Sequence, residues 1–162
     1  MSQLDELEEL FGRNEQTIRF RQRPDPIPGD LRMSWRFGAL ALVLLRCRGQ
    51  AAGNQQLHLL MASLRSPLIQ ATLLRALAGQ EGPSDVLLRN DPSLTRTVKI
   101  ADALGLVKQQ ANGTVRLTDD GKALGRLVSR NPNLFQAEKT FLDRLPMRIT
   151  QKEFNAILAA RK

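Results

Sequence analysis

The sequence predicts a mostly α-helical protein that also contains one small β-hairpin. Beyond residue 33, apolar residues recur in most segments at the three- and four-residue spacing of an amphipathic helix. Serine, threonine or aspartate precedes several of these segments, and proline takes the first helical position in two of them. Asn112-Gly113, flanked by short apolar stretches, is a strong signal for a hairpin turn.

The chain divides into an N-terminal region of residues 1–30, a central domain of residues 31–130 and a C-terminal helical extension of residues 131–162. Residues 3–11 are predicted to form a short acidic amphipathic helix, followed by a linker or extended arm rich in arginine and proline over residues 12–33. So short a helix is marginal on its own, so we expect it to dock on the chain itself or on a partner. Its apolar stripe is Leu4, Leu7, Leu10 and Phe11.

Three helices are predicted at the start of the central domain. The first covers residues 34–48 with Ser34 as its N-cap, and it is apolar on almost all sides, so it should be central and buried. After a turn formed by QAAGN, the second covers residues 55–65. Ser66-Pro67 begins the third. The apolar set expected in this third helix is Leu68, Ile69, Ala71, Leu73, Leu74 and Leu77.

A short helix over residues 83–89 and a longer helix from Asp91-Pro92 to about Leu104 are predicted next. In the longer helix, the apolar spacing turns one set of residues inward and another outward. The inward set is Leu94, Val98 and Ala101, and the outward set is Thr95, Arg96 and Lys99.

The hairpin comes after this helix, with one strand entered at Leu106-Val107 and the other running from Thr114 to Leu117. Thr118 is predicted to cap a helix that ends near Ser129. Two further helices are predicted in the C-terminal extension, over about residues 133–144 and from Thr150 onward. The residues expected to pack there are Leu134, Phe141, Leu142, Phe154, Ile157 and Leu158.

Residues 66–128 follow the order helix, short helix, turn, helix and hairpin, which is typical of a winged helix-turn-helix core. In such a core the helix before the hairpin meets a DNA groove, and the hairpin reaches the flanking backbone. Winged helices also bind protein partners with the same positions, and an outward Asp102 would repel phosphate. The residues predicted to bind DNA or a partner are Ser93, Thr95, Arg96, Lys99, Lys108, Asn112 and Arg116.

The charge distribution favours an acidic partner. The whole chain carries +8 and residues 1–10 carry −4, so the remainder carries +12. Arginine outnumbers lysine 18 to 6, and its forked guanidinium suits contacts with phosphate. We therefore expect weak, sequence-independent binding to double-stranded DNA. With aromatic residues at 4% and no tyrosine, a stacking platform for single strands is not expected.

No catalytic, metal or cofactor site is expected. The chain has one cysteine, Cys47, and one histidine, His58, whereas a zinc site of the usual kind needs three or four such ligands. Asp119-Asp120 is explained by the helix dipole at a helix start. The longest apolar stretch, residues 37–45, is too short to span a bilayer, and the acidic N-terminus is unlike a secretory signal. We expect a cytoplasmic protein with neither membrane contact nor a small-molecule substrate.

Two stretches carry a narrower resemblance. They are LRMSWRFGALALVLLRCRGQAAGNQQLHLL, residues 31–60, and VLLRNDPSLTRTVKIADALGLV, residues 86–107, which NGTVRLTDDGKAL follows. Over roughly residues 18–130 the chain resembles the small middle components of bacterial three-component ABC-ATPase systems, which include the Lamassu anti-phage defence systems. This resemblance implies a non-enzymatic winged-helix subunit that sits between an SMC-like ATPase and an effector subunit, often a nuclease.

Two other functions fit the same sequence. The chain could be a stand-alone, dimeric transcription regulator whose helices over residues 34–65 and 133–160 form the dimer interface. It could also be an interaction module with no DNA role. Copurification with an ATPase favours the first hypothesis, an operator footprint favours the regulator, and a salt-dependent DNA-binding assay separates both from the interaction module.

Overall fold

A computed structural model describes Pro28, residues 32–80, residues 91–146, Thr150, Lys152 and Phe154. These parts are mostly helical and carry a small antiparallel sheet, so the predicted fold class is confirmed at that level. The predicted helices over residues 3–11 and 83–89, and nearly all of the arm, lie outside the described residues. No helix in the described parts is long and apolar enough to cross a membrane.

The helices and strands follow one another along the chain in this order. They are α1 (Met33–Arg46), a single 3-10 turn (Arg48–Gln50), β1 (Ala51–Ala52), α2 (Asn54–Arg65), α3 (Pro67–Leu77), α4 (Pro92–Ala103), β2 (Val107–Gln109), β3 (Val115–Leu117), α5 (Asp119–Arg130) and α6 (Gln136–Arg144). Lys152 and Phe154 are also helical, and Phe154 is fully buried.

Helix α1 is the centre of the fold, as its apolar sequence predicts. Every residue from Gly38 to Leu44 is buried, and α2, α4, α5, α6 and the sheet all pack against it. The prediction that Ser34 caps this helix is wrong. The Arg36 N–H donates to the Arg32 carbonyl at 3.0 Å, so the helix starts earlier and Ser34 lies exposed in its first turn.

The sheet has three strands rather than the two of the predicted hairpin. Its order is β1-β3-β2, with β3 antiparallel to both neighbours. The segment predicted as a turn, QAAGN, contributes β1, in which Ala52 pairs with Val115. A two-residue Ala-Ala strand has no alternating apolar pattern, and its partner is distant in sequence, so local signals could not predict it.

The hairpin turn lies where the sequence predicts it. The Gln110 N–H donates to the Thr114 carbonyl at 2.8 Å, and the Gly113 N–H donates to the Gln110 carbonyl at 2.9 Å. Gly113 takes a φ of +79°, which only glycine adopts without cost. Asn112 keeps a negative φ, and its Oδ1 instead accepts the Thr114 N–H at 3.0 Å. The loop is therefore a three-residue turn closed by one glycine.

Predicted apolar faces are correct in α4 and only partly correct in two other helices. In α3, Leu73 is buried but Leu68 is 73% exposed, because this helix packs mainly on α2. Phe141 and Leu142 of α6 are buried as predicted. Leu134 is 43% exposed and lies before α6 begins, so its assignment to the packed face is wrong.

Candidate nucleic-acid interface

Helix α4 divides cleanly into an inner and an outer face. Leu94, Val98 and Ala101 are buried toward α1, as the sequence predicts. Thr97 is buried as well, where its hydroxyl donates to the Ser93 carbonyl at 2.8 Å. The outer face presents Thr95, Arg96 and Lys99, all exposed.

The N-terminus of α4 is fixed by a network from three helices. The Asp91 carboxylate caps the helix by accepting the Ser93 N–H at 2.9 Å, and it also accepts the Ser93 hydroxyl. Arg36 of α1 is buried and donates to the Ser93 hydroxyl at 2.7 Å. Arg65 of α2 pairs with Asp91 at 3.2 Å. Ser93 is thus half-buried and hydrogen-bonded within the protein, whereas the residues of the outward face of α4 are exposed.

His58 of α2 completes this network. Its Nδ1 accepts the Asp91 N–H at 3.3 Å, an acceptor role open only to the neutral ring. Burial lowers the pKa of His58 below 6.5, although the nearby Asp91 charge opposes the shift. Burial raises the pKa of Asp91, but hydrogen bonds from Ser93 and the charges of Arg65 and Arg36 outweigh burial and hold it below 3.8.

The outward face of the sheet carries two cations side by side. Lys108 on β2 and Arg116 on β3 are cross-strand partners in register, and both are exposed. Arg116 also lies opposite Ala51 of β1 and donates to the Gly49 carbonyl at 3.1 Å. Like charges directly opposite each other destabilise a sheet, by an amount on the order of 0.2–1 kcal/mol.

Helix α4 and the hairpin are joined at Asp102. Its Oδ1 accepts the Gln109 N–H at 3.2 Å, which ties the end of β2 to the C-terminal part of α4. From the sequence, Asp102 is expected to repel phosphate. In the structure its carboxylate has a hydrogen-bond partner within the protein. The same hydrogen bond holds β2, which carries Lys108, beside α4, which carries Arg96 and Lys99. We call Arg96, Lys99, Lys108 and Arg116 the basic set.

Arg48 is a nearby cation that the sequence analysis did not single out. It is exposed in the 3-10 turn before β1, next to Gly49, whose carbonyl binds Arg116. Its proximity to the hairpin depends on the pairing of β1 with β3. The segment RCRG alone signals only a basic helix end, so this residue could be found only once the sheet was known.

The predicted site residues that the structure describes therefore fall into three groups. Thr95, Arg96 and Lys99 share the outer face of α4, whereas Lys108 and Arg116 share the sheet face. Ser93 belongs to the internal network, and the side chain of Asn112 closes the hairpin turn. The predicted docking residues lie outside the described part of the chain; they are Leu4, Leu7, Leu10 and Phe11.

The cysteine of the chain, Cys47, lies in the core. Cys47 is buried, and burial raises the pKa of its thiol to about 12, so it stays protonated at neutral pH. Within the described ranges, no group of histidine, cysteine and acidic residues has the arrangement of a metal site. Every buried polar side-chain atom there has a hydrogen-bond partner.

Comparison with protein-family models, with curated proteins and with solved structures found no match.

Proposed function

We propose that this chain is a non-enzymatic, cytoplasmic winged-helix subunit that holds duplex DNA by its phosphate backbone. The sheet order β1-β3-β2, with α4 directly before the β2–β3 hairpin, supports the winged-helix interpretation. In this arrangement α4 would lie against a groove, and the hairpin would form the wing beside it.

The observation that carries the proposal is the cross-strand pair of Lys108 and Arg116. A phosphodiester between the two side chains would turn a repulsive pair into a stabilised one, because each cation then faces an anion. Arg96 and Lys99 on α4 make no ion pair with the described residues and so remain available to phosphate. The basic set offers about four phosphate contacts in total.

We expect contact with phosphates but not with base edges, because few uncharged polar side chains of α4 are free to read bases. Base-specific reading needs donors and acceptors at the groove-facing end of the helix. Ser93 is held by Arg36 and Asp91, and the remaining uncharged polar residue on the outer face is Thr95. Such a surface positions a protein on DNA but carries little sequence information.

The resemblance to middle components of three-component ABC-ATPase systems, Lamassu included, supplies the setting. In that setting the subunit bridges an SMC-like ATPase and an effector while it contacts DNA. Leu4, Leu7, Leu10 and Phe11 are the residues we propose for docking on a partner. Copurification of the full chain with an ATPase would support this setting. A footprint on one operator sequence, with no ATPase bound, would instead favour a stand-alone regulator.

The DNA role is tested by binding of the full chain to two unrelated duplexes of equal length in low salt. We expect the two affinities to agree within about threefold, because backbone contacts supply nearly all of the free energy. A preference of a hundredfold or more, about 2.7 kcal/mol, would contradict backbone-only binding.

A further inference from the structure

The exposed face of α5 has a pattern that fits a second copy of itself. Three residues of this helix are buried, namely Gly121, Gly125 and Val128. Gly125 lies against Leu45 of α1, and Gly121 lies against Leu106. The exposed side of the helix carries four residues at helical spacing, three, four and three positions apart. In order, they are Asp120, Ala123, Leu127 and Arg130.

These four residues are complementary to the same four residues of a second copy when the two helices run antiparallel. Asp120 and Arg130 each lie five positions from Gly125, and Ala123 and Leu127 each lie two positions from it. In an antiparallel pair of α5 helices, one register therefore sets Asp120 against Arg130 and Ala123 against Leu127. A two-fold axis between the helices then repeats both contacts, as an isologous interface requires.

The four residues are also available for such a contact. Leu127 is 69% exposed, the second most exposed of the large apolar side chains in the described parts. Asp120 and Arg130 make no ion pair with the described residues, whereas the neighbouring Asp119 is already bound to Lys122 at 2.9 Å. Leucine facing alanine gives the large-against-small packing that lets two helices approach closely.

We propose that the outer face of α5, defined by Asp120, Ala123, Leu127 and Arg130, is a self-association surface that forms a two-fold antiparallel dimer. The helix has three turns, so the area buried is at the low end for a specific interface. The dimer is accordingly weak and depends on concentration. This inference is independent of DNA binding, because it uses none of the basic set.

The test is sedimentation velocity of the full chain from low micromolar to several hundred micromolar. We expect the wild type to self-associate reversibly over this range. Asp120→Arg makes both ends of the face positive and Arg130→Asp makes both ends negative. Each variant alone should therefore associate at least about tenfold more weakly, a difference of 1.4 kcal/mol.

An equimolar mixture of the two variants is the decisive sample, because the proposed register then restores both opposite-charge contacts. We expect the mixture to regain wild-type association. Leu127→Asp should abolish association. Arg75→Asp, which makes the same charge change as Arg130→Asp at an exposed position of α3, should leave association intact. Melting curves for every variant verify that each one is folded.

Three results would overturn the proposal. One is a wild type that stays monomeric at every concentration. Another is undiminished association of Asp120→Arg, Arg130→Asp and Leu127→Asp, which would place the contact elsewhere. The third is a mixture of folded charge variants that stays monomeric, which would rule out this register.

Discussion

At the scale of single residues, Gly121 and Gly125 determine how closely α5 approaches its neighbours. A β-carbon on Gly121 would overlap the Leu106 carbonyl oxygen, which belongs to the backbone leading into β2. A β-carbon on Gly125 would lie 2.6 Å from Cδ1 of Leu45, the end of a side chain that can rotate. The two positions carry the same residue under different constraints.

These constraints predict different outcomes for one substitution. Gly121→Ala should lower the free energy of unfolding by about 2 kcal/mol or more, because backbone must move to relieve the overlap. Gly125→Ala should change it by less than about 1 kcal/mol, since Leu45 can shift and alanine favours helix by about 1 kcal/mol. Urea denaturation of both variants measures the difference, and equal losses would show that the packing described for α5 is wrong.

His58 predicts how stability depends on pH. Its pKa is lowered in the folded protein, so the unfolded chain binds more protons as the pH falls through 6.5. Stability should therefore decline from pH 7 toward pH 5 and level off below the folded pKa. Protonation would remove the acceptor of the Asp91 N–H at the start of α4.

His58→Asn is the control, because its amide oxygen can accept near the position of Nδ1 but does not titrate. Since His58 is the sole histidine of the chain, this variant should show a nearly flat melting temperature between pH 7 and pH 5. Unchanged pH dependence in the variant would mean that another group causes the decline.

At the scale of elements, α4 combines a buried face that stabilises the fold with an outer face that is free to bind. Arg96→Glu with Lys99→Glu should change the free energy of unfolding by no more than about 0.5 kcal/mol, because both residues are exposed. The double variant should weaken duplex binding and reduce the magnitude of its log–log salt slope by about 1.8.

Arg75→Glu with Arg144→Glu provides the matched control for this experiment. Both residues are exposed on helices outside the basic set, and the net charge changes by the same amount. DNA binding weakened equally by the two double variants would indicate a response to net charge alone. Loss of folding in the α4 variant would instead contradict the outward placement of Arg96 and Lys99.

Local signals predicted most of the elements, and their success has a physical basis. Ser66, Asp91 and Thr118 precede helices in sequence, and each side chain accepts a backbone N–H of the first helical turn. Ser34 shows the limit of the same signal. A serine was present near a helix start, but the backbone bond from Arg36 to Arg32 extends the helix past it.

At the scale of the whole molecule, the features that the sequence could not predict are long-range. Strand β1 exists because Ala52 pairs with Val115, and this pairing together with the Arg116–Gly49 hydrogen bond brings Arg48 near the hairpin. The network that engages Ser93 joins Arg36, Arg65 and Asp91 from three separate segments. Sequence periodicity gave the outward face of α4 correctly, but it could not separate Ser93 from that face.

The measurement that tests the central claim most directly is the salt dependence of duplex binding by the full chain. If the basic set neutralises about four phosphates, the logarithm of the binding constant should fall with the logarithm of salt concentration at a slope near −3.6. Two duplexes of unrelated sequence should give the same slope. Binding that does not depend on salt, or no binding in low salt either alone or together with a copurified ATPase, would contradict a role on DNA.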